Sequence, residues 1–209
     1  SKTAHIQLLM VWVFPLVLLA FHRFADSPSL ARGAVLGVTL AVAALSCGYY
    51  GIFAGLAIGL AALWYAAGQA SQSRYWLGLG AALLVAGALI APVLRPYLAL
   101  RAEAGARRVV NLDESRLFSA NLRGYLSSPS RVHEWITEPW LTRFGPAREG
   151  LFPGVLVSVF AIFGVWVTAR SATKSHWKRP ASVERVASFY VALTLLAVWA
   201  SFGPAAGLY

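Results

Sequence analysis

The sequence predicts an all-α membrane protein, a polytopic helix bundle with about six transmembrane spans and one long extracytoplasmic segment that contains short amphipathic helices. Of its 209 residues, 58% are apolar and 12% charged, and the mean hydropathy is +0.63, which is atypical of soluble domains. A charge at the centre of an inserted helix costs about 2.5–3.5 kcal/mol, and the long apolar runs contain none. These charge-free runs are Ile6–Phe21, Gly33–Ser73, Tyr75–Leu94, Leu151–Ala169 and Val186–Tyr209.

The runs divide into individual spans by length. As one helix, residues 33–68 would be about 54 Å long, whereas the hydrocarbon core is about 30 Å thick. We therefore expect a turn at Ser46–Gly51, between two short spans. Ser27 or Ser29 is expected to cap the first of them. The predicted spans are about 6–21, 33–46, 50–67, 76–94, 151–169 and 186–202.

Small residues near this turn indicate helix packing. Gly51, Gly55 and Gly59 recur at a spacing of four, which lets helix backbones approach closely in lipid. Cys47 is the single cysteine, so the chain holds no internal disulfide, and a packing role is expected for it.

Charge predicts the orientation. Lys and Arg concentrate in the loops 22–32, 69–74 and above all 170–185, which the positive-inside rule places in the cytoplasm. One span separates the 170–185 loop from residues 95–150, so that segment is predicted to be extracytoplasmic. Its nine arginines do not alter this, because long segments translocate largely regardless of charge. The net charge of +10 therefore reflects membrane topology, and we do not expect nucleic-acid binding.

Residues 95–150 form the only polar stretch long enough to hold a site. Pro96–Arg107 is predicted to be a short amphipathic helix, and a second is expected after Asp113 or Ser115. Trp135 and Trp140 are expected to lie at the level of the lipid headgroups.

The carboxylates of this segment are candidates for acid–base chemistry, although most are expected to pair with arginines on a solvated surface. Glu149 is singled out as a catalytic candidate because it directly precedes an apolar span, where burial would perturb it; a structural role beside Arg148 is the alternative. His133 and Glu134 lack a second histidine at helical spacing, so no metal site is predicted. The six carboxylates are Glu103, Asp113, Glu114, Glu134, Glu138 and Glu149.

Four short motifs, in this order, carry a family resemblance. They are His5-Ile-Gln-Leu-Leu before Trp12-x-x-Pro15-Leu16, then Leu45-Ser-x-Gly-Tyr-Tyr50, then Glu149-x-Leu-Phe-Pro-Gly154, and finally Ser201-Phe-Gly-Pro204. Together they resemble bacterial multispanning glycosyltransferases of the GT-C type, which use lipid-linked sugars. The resemblance implies a bacterial inner-membrane protein that moves a sugar from a polyprenyl-phosphate donor to an extracytoplasmic acceptor, with a divalent metal as an optional cofactor.

The same resemblance implies that the catalytic acid lies in a first external loop, upstream of Ser1, and that this chain is an internal fragment. Glu149 is the catalytic candidate within it, and the substrate-binding candidates are His5, Tyr49, Tyr50 and Arg148. For His5, an interfacial hydrogen bond is the alternative role. Arginines of the long segment are suited to a lipid phosphate because the guanidinium pairs in a bidentate manner.

Two other readings stay open. A transporter or flippase segment would explain the broken 33–68 stretch, but the spans lack the ionisable residues that coupled ion transport uses. A non-catalytic membrane scaffold is the third. The sequence leaves the sugar, the acceptor and the oligomeric state open.

Overall fold

The computed structural model describes residues 10–103, 119–128, 130–144, 150–171 and 183–206. Within these ranges every regular element is helical, and none is a strand. The α-helices are α1 (Val13–Asp26), α2 (Leu30–Ser46), α3 (Gly48–Ala66), α4 (Ser73–Glu103), α5 (Leu122–Tyr125), α6 (Glu134–Phe144), α7 (Val155–Ser171) and α8 (Val183–Ser201). Short 3₁₀ helices cover Arg131–His133 and Gly203–Ala206.

Three of the described helices are long and apolar enough to cross a membrane: Gly48–Ala66, Ser73–Leu100 and Val183–Ser201. Two further apolar helices, Leu30–Ser46 and Val155–Arg170, are shorter. Large apolar side chains are exposed along all five, as a lipid solvent requires. The prediction of an all-helical protein with membrane-length helices is therefore confirmed for the described residues, while the count of six spans remains a prediction.

The described residues fall into two compact units. The first contains α1 to α4 together with the first three residues of α8, Val183–Arg185. The second contains the described residues from Ser119 to Ser171 and the rest of α8.

Aromatic and aliphatic side chains from α1 to α4 form the core of the first unit. Phe24 stacks on Tyr75 with ring centres 5.5 Å apart, and Phe21 meets Tyr65 edge to face at 5.5 Å. The side chains of Phe21, Phe24, Leu36, Tyr65 and Tyr75 are fully buried. The first unit therefore has a buried, aromatic-rich core, while the outer faces of its helices expose large apolar side chains.

The 33–68 stretch is broken at Cys47, inside the predicted turn. Cys47 has extended backbone angles (φ −160°, ψ 127°) and ends α2 just before α3 begins. At the other end of α2, Ser29 is the cap, because its hydroxyl accepts a hydrogen bond from the Arg32 amide at 3.2 Å. Of the predicted glycine stripe, Gly51 lies against Ala44, whereas added Cβ atoms at Gly55 and Gly59 would meet no described atom within 4 Å.

Helix α4 differs from the prediction. The sequence suggests a span ending near Leu94 and a separate short helix from Pro96, but the structure has one continuous helix of 31 residues that contains Pro92 and Pro96. Each proline removes one main-chain amide from the hydrogen-bond ladder, a loss that helices in membranes tolerate. The predicted break in the helix before Pro96 is therefore wrong, because proline kinks such a helix more readily than it ends it, whereas the end of the membrane span near Leu94 stays a prediction.

Candidate functional site

Main-chain hydrogen bonds attach residues 120–127 to the ends of two apolar helices in the second unit. The amides of Leu151 and Phe152, just before α7, donate to the carbonyl oxygens of Gly124 (2.8 Å) and Ser127 (3.0 Å). The amide of Ala120 donates to the carbonyl oxygen of Ser201, the last residue of α8, at 2.9 Å. The start of α7 and the end of α8 are thus held together by one polar segment.

A groove of about 200 Å³ opens beside α6 in this polar segment. Thr137 is only 3% exposed, and its hydroxyl donates to the carbonyl oxygen of His133 at 3.2 Å. Glu134 and Glu138 lie one turn apart on the exposed surface of α6, so both carboxylates belong to the same edge of the groove. The lining residues are Ser128, Ser130, Arg131, Glu134, Thr137, Glu138 and Leu141.

A serine–histidine hydrogen bond shapes one end of the groove. The Ser128 hydroxyl lies 3.1 Å from Nδ1 of His133, and it also accepts a hydrogen bond from the Ser130 amide at 3.2 Å. The His133 ring packs edge to face against Phe152, with ring centres 5.3 Å apart. Gly154, whose φ is +99°, lies near Cε1 and Nε2 of the same ring in a backbone conformation that favours glycine. The imidazole is therefore fixed in orientation.

These groups define what the groove can bind. Carboxylates accept hydrogen bonds from hydroxyl groups, serine hydroxyls donate and accept, and the Arg131 guanidinium suits a phosphate or carboxylate. The groove therefore offers acceptors for ligand hydroxyl groups and one guanidinium for an anionic group. Glu134 and Glu138 are also the described carboxylates placed to accept a proton from such a hydroxyl.

The structure separates the residues predicted as site candidates. Tyr49 and Tyr50 lie in the first turn of α3, in the first unit. Tyr49 is 72% exposed, whereas Tyr50 is buried with its ring edge to face against Phe14 at 5.2 Å. Tyr50 is thus a packing residue, and of the two tyrosines only Tyr49 presents its ring on the surface. His5, Arg148 and Glu149 lie outside the described residues.

Sequence reasoning did not identify the groove. A spacing of four residues between Glu134 and Glu138 places both carboxylates on one helix face, and this signal was available. The pairing of Ser128 with His133 was not, because it depends on the intervening 3₁₀ turn, Arg131–His133. In the described part of the chain, no group of three or more His, Cys, Asp or Glu side chains is arranged to hold a metal ion.

A second polar cluster lies in the first unit. Arg185, 1% exposed, donates a hydrogen bond from Nη2 to the carbonyl oxygen of Trp64 at 2.7 Å. Its guanidinium carbon lies 4.9 Å from the centre of the Tyr65 ring, a cation–π contact. Nearby, the buried Gln69 side chain donates to the carbonyl oxygen of Ala25 at 2.9 Å. Because these contacts join the start of α8 to the end of α3, and the α3–α4 loop to the end of α1, this cluster has a structural role.

No protein-family model matches the chain, and comparisons with curated proteins and with solved structures find no significant match. The class of protein therefore follows from the fold alone. Three helices of membrane length and apolar composition indicate an integral membrane protein of helical type.

Proposed function

We propose that the chain is part of an integral membrane glycosyltransferase-like protein that moves a sugar from a polyprenyl-phosphate donor to an extracytoplasmic acceptor. The proposal is supported by one observation above all: the groove containing Glu134, Glu138 and Arg131 belongs to a segment hydrogen-bonded to the ends of two apolar helices. A lipid-linked sugar has its chain in hydrocarbon, its phosphate among the headgroups and its sugar in water. A polar groove at the end of apolar helices suits such a molecule.

In this proposal the groove residues have separate roles. Arg131 binds the phosphate of the donor, because a guanidinium forms bidentate hydrogen bonds with phosphate oxygens. Glu134 and Glu138 bind sugar or acceptor hydroxyls, and one of them, or Glu149, accepts the proton of the attacking hydroxyl. Ser128 and His133 hold the end of the groove in shape.

The proposal includes a topology of six spans, with residues 95–150 facing away from the cytoplasm of a bacterial inner membrane. Two single-cysteine variants in a Cys47→Ser background test it in intact cells, with any outer envelope permeabilised. Both carry their cysteine at an exposed position, Val132→Cys in the polar segment and Ser71→Cys in the loop before α4. A membrane-impermeant maleimide should label position 132 and not position 71 until the cells are broken. The opposite pattern overturns the topology.

Turnover tests the chemistry. The full-length protein, reconstituted in phospholipid vesicles, is supplied with a panel of polyprenyl-phosphate sugars, and loss of sugar from the carrier is measured. Glu134→Gln, Glu138→Gln and Glu149→Gln are compared with Asp26→Asn, which removes an exposed carboxylate of the first unit. The expected result is release in the wild-type and Asp26→Asn proteins and a loss of about 100-fold or more in at least one glutamate variant, the scale of a missing general base.

Other outcomes identify other functions. Movement of the lipid-linked sugar across the vesicle membrane without its cleavage would show a flippase instead of a transferase. Neither cleavage nor movement of any donor would leave the scaffold reading and overturn the transferase proposal. Release that is unchanged in all three glutamate variants would remove these carboxylates from the reaction.

A further inference from the structure

Helix α6 has two chemically different faces. At about 100° per residue, Glu134, Thr137, Glu138 and Leu141 fall on one side, and all four line the groove. The opposite side carries Ile136, Pro139 and Arg143, with the Trp135 and Trp140 side chains at its two margins. We call this second side the tryptophan face.

The tryptophan face is exposed although it is largely apolar. Trp135 is 70% exposed and Trp140 is 47% exposed, while Pro139 is also on the surface. Burying a tryptophan side chain is strongly favourable, and aromatic residues of this size usually pack in the core. Trp135 and Trp140, exposed on one helix surface, therefore favour an environment other than water.

The attachment of this region to α7 identifies that environment. The polar segment that leads into α6 is hydrogen-bonded, through Gly124 and Ser127, to the two residues Leu151 and Phe152 that precede α7. Helix α7 is apolar around its whole circumference, and side chains on different sides of it, such as Leu156, Phe160 and Ile162, are exposed. Such a helix needs hydrocarbon around it, so its first residues, and the segment bonded to them, lie near a membrane boundary.

We propose that the tryptophan face of α6 rests in the headgroup layer of the bilayer and that α6 is an interfacial helix. Tryptophan favours this layer because its ring is apolar and its indole N–H is a donor. Arg143, on the same face, extends its apolar stem along the surface and directs its guanidinium to lipid phosphates. The inference requires only a membrane around α7, and it stands whether or not the chain transfers sugar.

This placement fixes the position of the groove. Because Glu134 and Glu138 lie on the side of α6 that faces away from the lipid, the groove is open to water at headgroup depth. A polar group attached to a membrane lipid would reach these carboxylates without leaving the bilayer.

Site-directed spin labelling tests the placement. The full chain, in a Cys47→Ser background, carries one nitroxide at position 135, 143 or 138 and is reconstituted in phosphatidylcholine vesicles. Collision rates are measured with oxygen, which concentrates in lipid, and with a water-soluble nickel chelate. The expected oxygen-to-nickel ratio is several-fold higher at positions 135 and 143 than at position 138, which serves as the matched site on the opposite face.

Three results would contradict the proposal. Equally low oxygen-to-nickel ratios at all three positions would place the tryptophan face in water. Low collision rates with both reagents at 135 and 143 would show that a second copy of the chain or another protein covers that face. A high oxygen ratio at position 138 alone would mean that α6 lies on the membrane through its groove side. Turnover measured on the unlabelled protein in vesicles of the same composition reports on the sugar-transfer proposal separately.

Discussion

Gly33 of α2 and Gly78 of α4 face each other so closely that a methyl group on Gly33 would overlap the main-chain carbonyl of Gly78. One turn further along, Gly37 is in the same position against the Ala82 carbonyl. The two helices thus cross backbone to backbone. In lipid, where the hydrophobic effect does not drive helices together, close backbone approach provides much of the packing energy.

This contact predicts a sharp difference between glycines. Gly33→Ala should lower the free energy of unfolding by about 1–3 kcal/mol, because the new methyl group meets main-chain atoms that cannot rotate away. Gly59→Ala is the matched control, since an added Cβ there meets no described atom within 4 Å. It should leave stability unchanged or raise it by about 0.5–1 kcal/mol through helix propensity. Denaturant titration in mixed micelles measures both, and equal losses would contradict the crossing.

Arg185 provides a second prediction. Arg185→Lys keeps the charge but loses the planar group that donates to the Trp64 carbonyl and lies against the Tyr65 ring. We expect a loss of about 1–3 kcal/mol, the scale of a buried hydrogen bond to a charged group.

Arg170→Lys is the control for that change, because Arg170 makes a cation–π contact of 4.1 Å with Trp166 on an exposed surface. Its replacement should cost no more than about 1 kcal/mol. The same denaturant titration compares the two variants. A smaller effect at Arg185 than at Arg170 would mean that the buried contacts contribute little to stability.

His22 predicts a dependence of stability on pH. It follows the apolar run that ends at Phe21, and burial lowers the pKa of its imidazole below the ordinary 6.5, while the charge of Asp26 acts in the opposite direction. A lowered pKa means that the folded protein resists protonation at His22 more than the unfolded chain does. Its contribution to stability is therefore complete above pH 6.5 and is lost as the pH falls through the lowered folded value.

The free energy of unfolding should consequently decline as the pH falls below 6.5, apart from the titration of carboxylates common to all variants. His22→Gln should flatten part of that decline. Asp26→Asn should steepen it, because the charge that favours protonated His22 is removed. A decline that is identical in the wild-type and His22→Gln proteins would show that other groups determine the acid limb.

Hydropathy was sufficient to predict where most helices lie. The predicted spans 33–46 and 50–67 correspond to helices Leu30–Ser46 and Gly48–Ala66, because a run too long for one crossing must contain a turn and its small polar residues supply one. The pairing of α2 with α4 was not predictable in the same way. Both helices are apolar on most sides, so no single face of either one is marked for contact.

Charged residues near helix ends were predicted less well. The charge pattern assigns Arg185 to the basic loop 170–185, which the positive-inside rule places in the cytoplasm. It is buried instead, through a hydrogen bond to a residue 121 positions earlier in the chain. A contact over that separation depends on tertiary structure, which local patterns do not contain. The groove was predictable only in part. Helical spacing places Glu138 beside Glu134, but the pairing of Ser128 with His133 depends on the turn between them.

The uninterrupted course of α4 makes this helix longer than a single crossing of the hydrocarbon needs. Arg74 and Arg95 are separated by about 32 Å of helix axis, close to the thickness of the hydrocarbon. The residues from Pro96 to Glu103 add about 12 Å beyond this, more than the depth of one headgroup layer even at a tilt of about 20°. A membrane crossing by α4 therefore requires a tilt, a bend at Pro92 or Pro96, or a helical extension beyond the hydrocarbon.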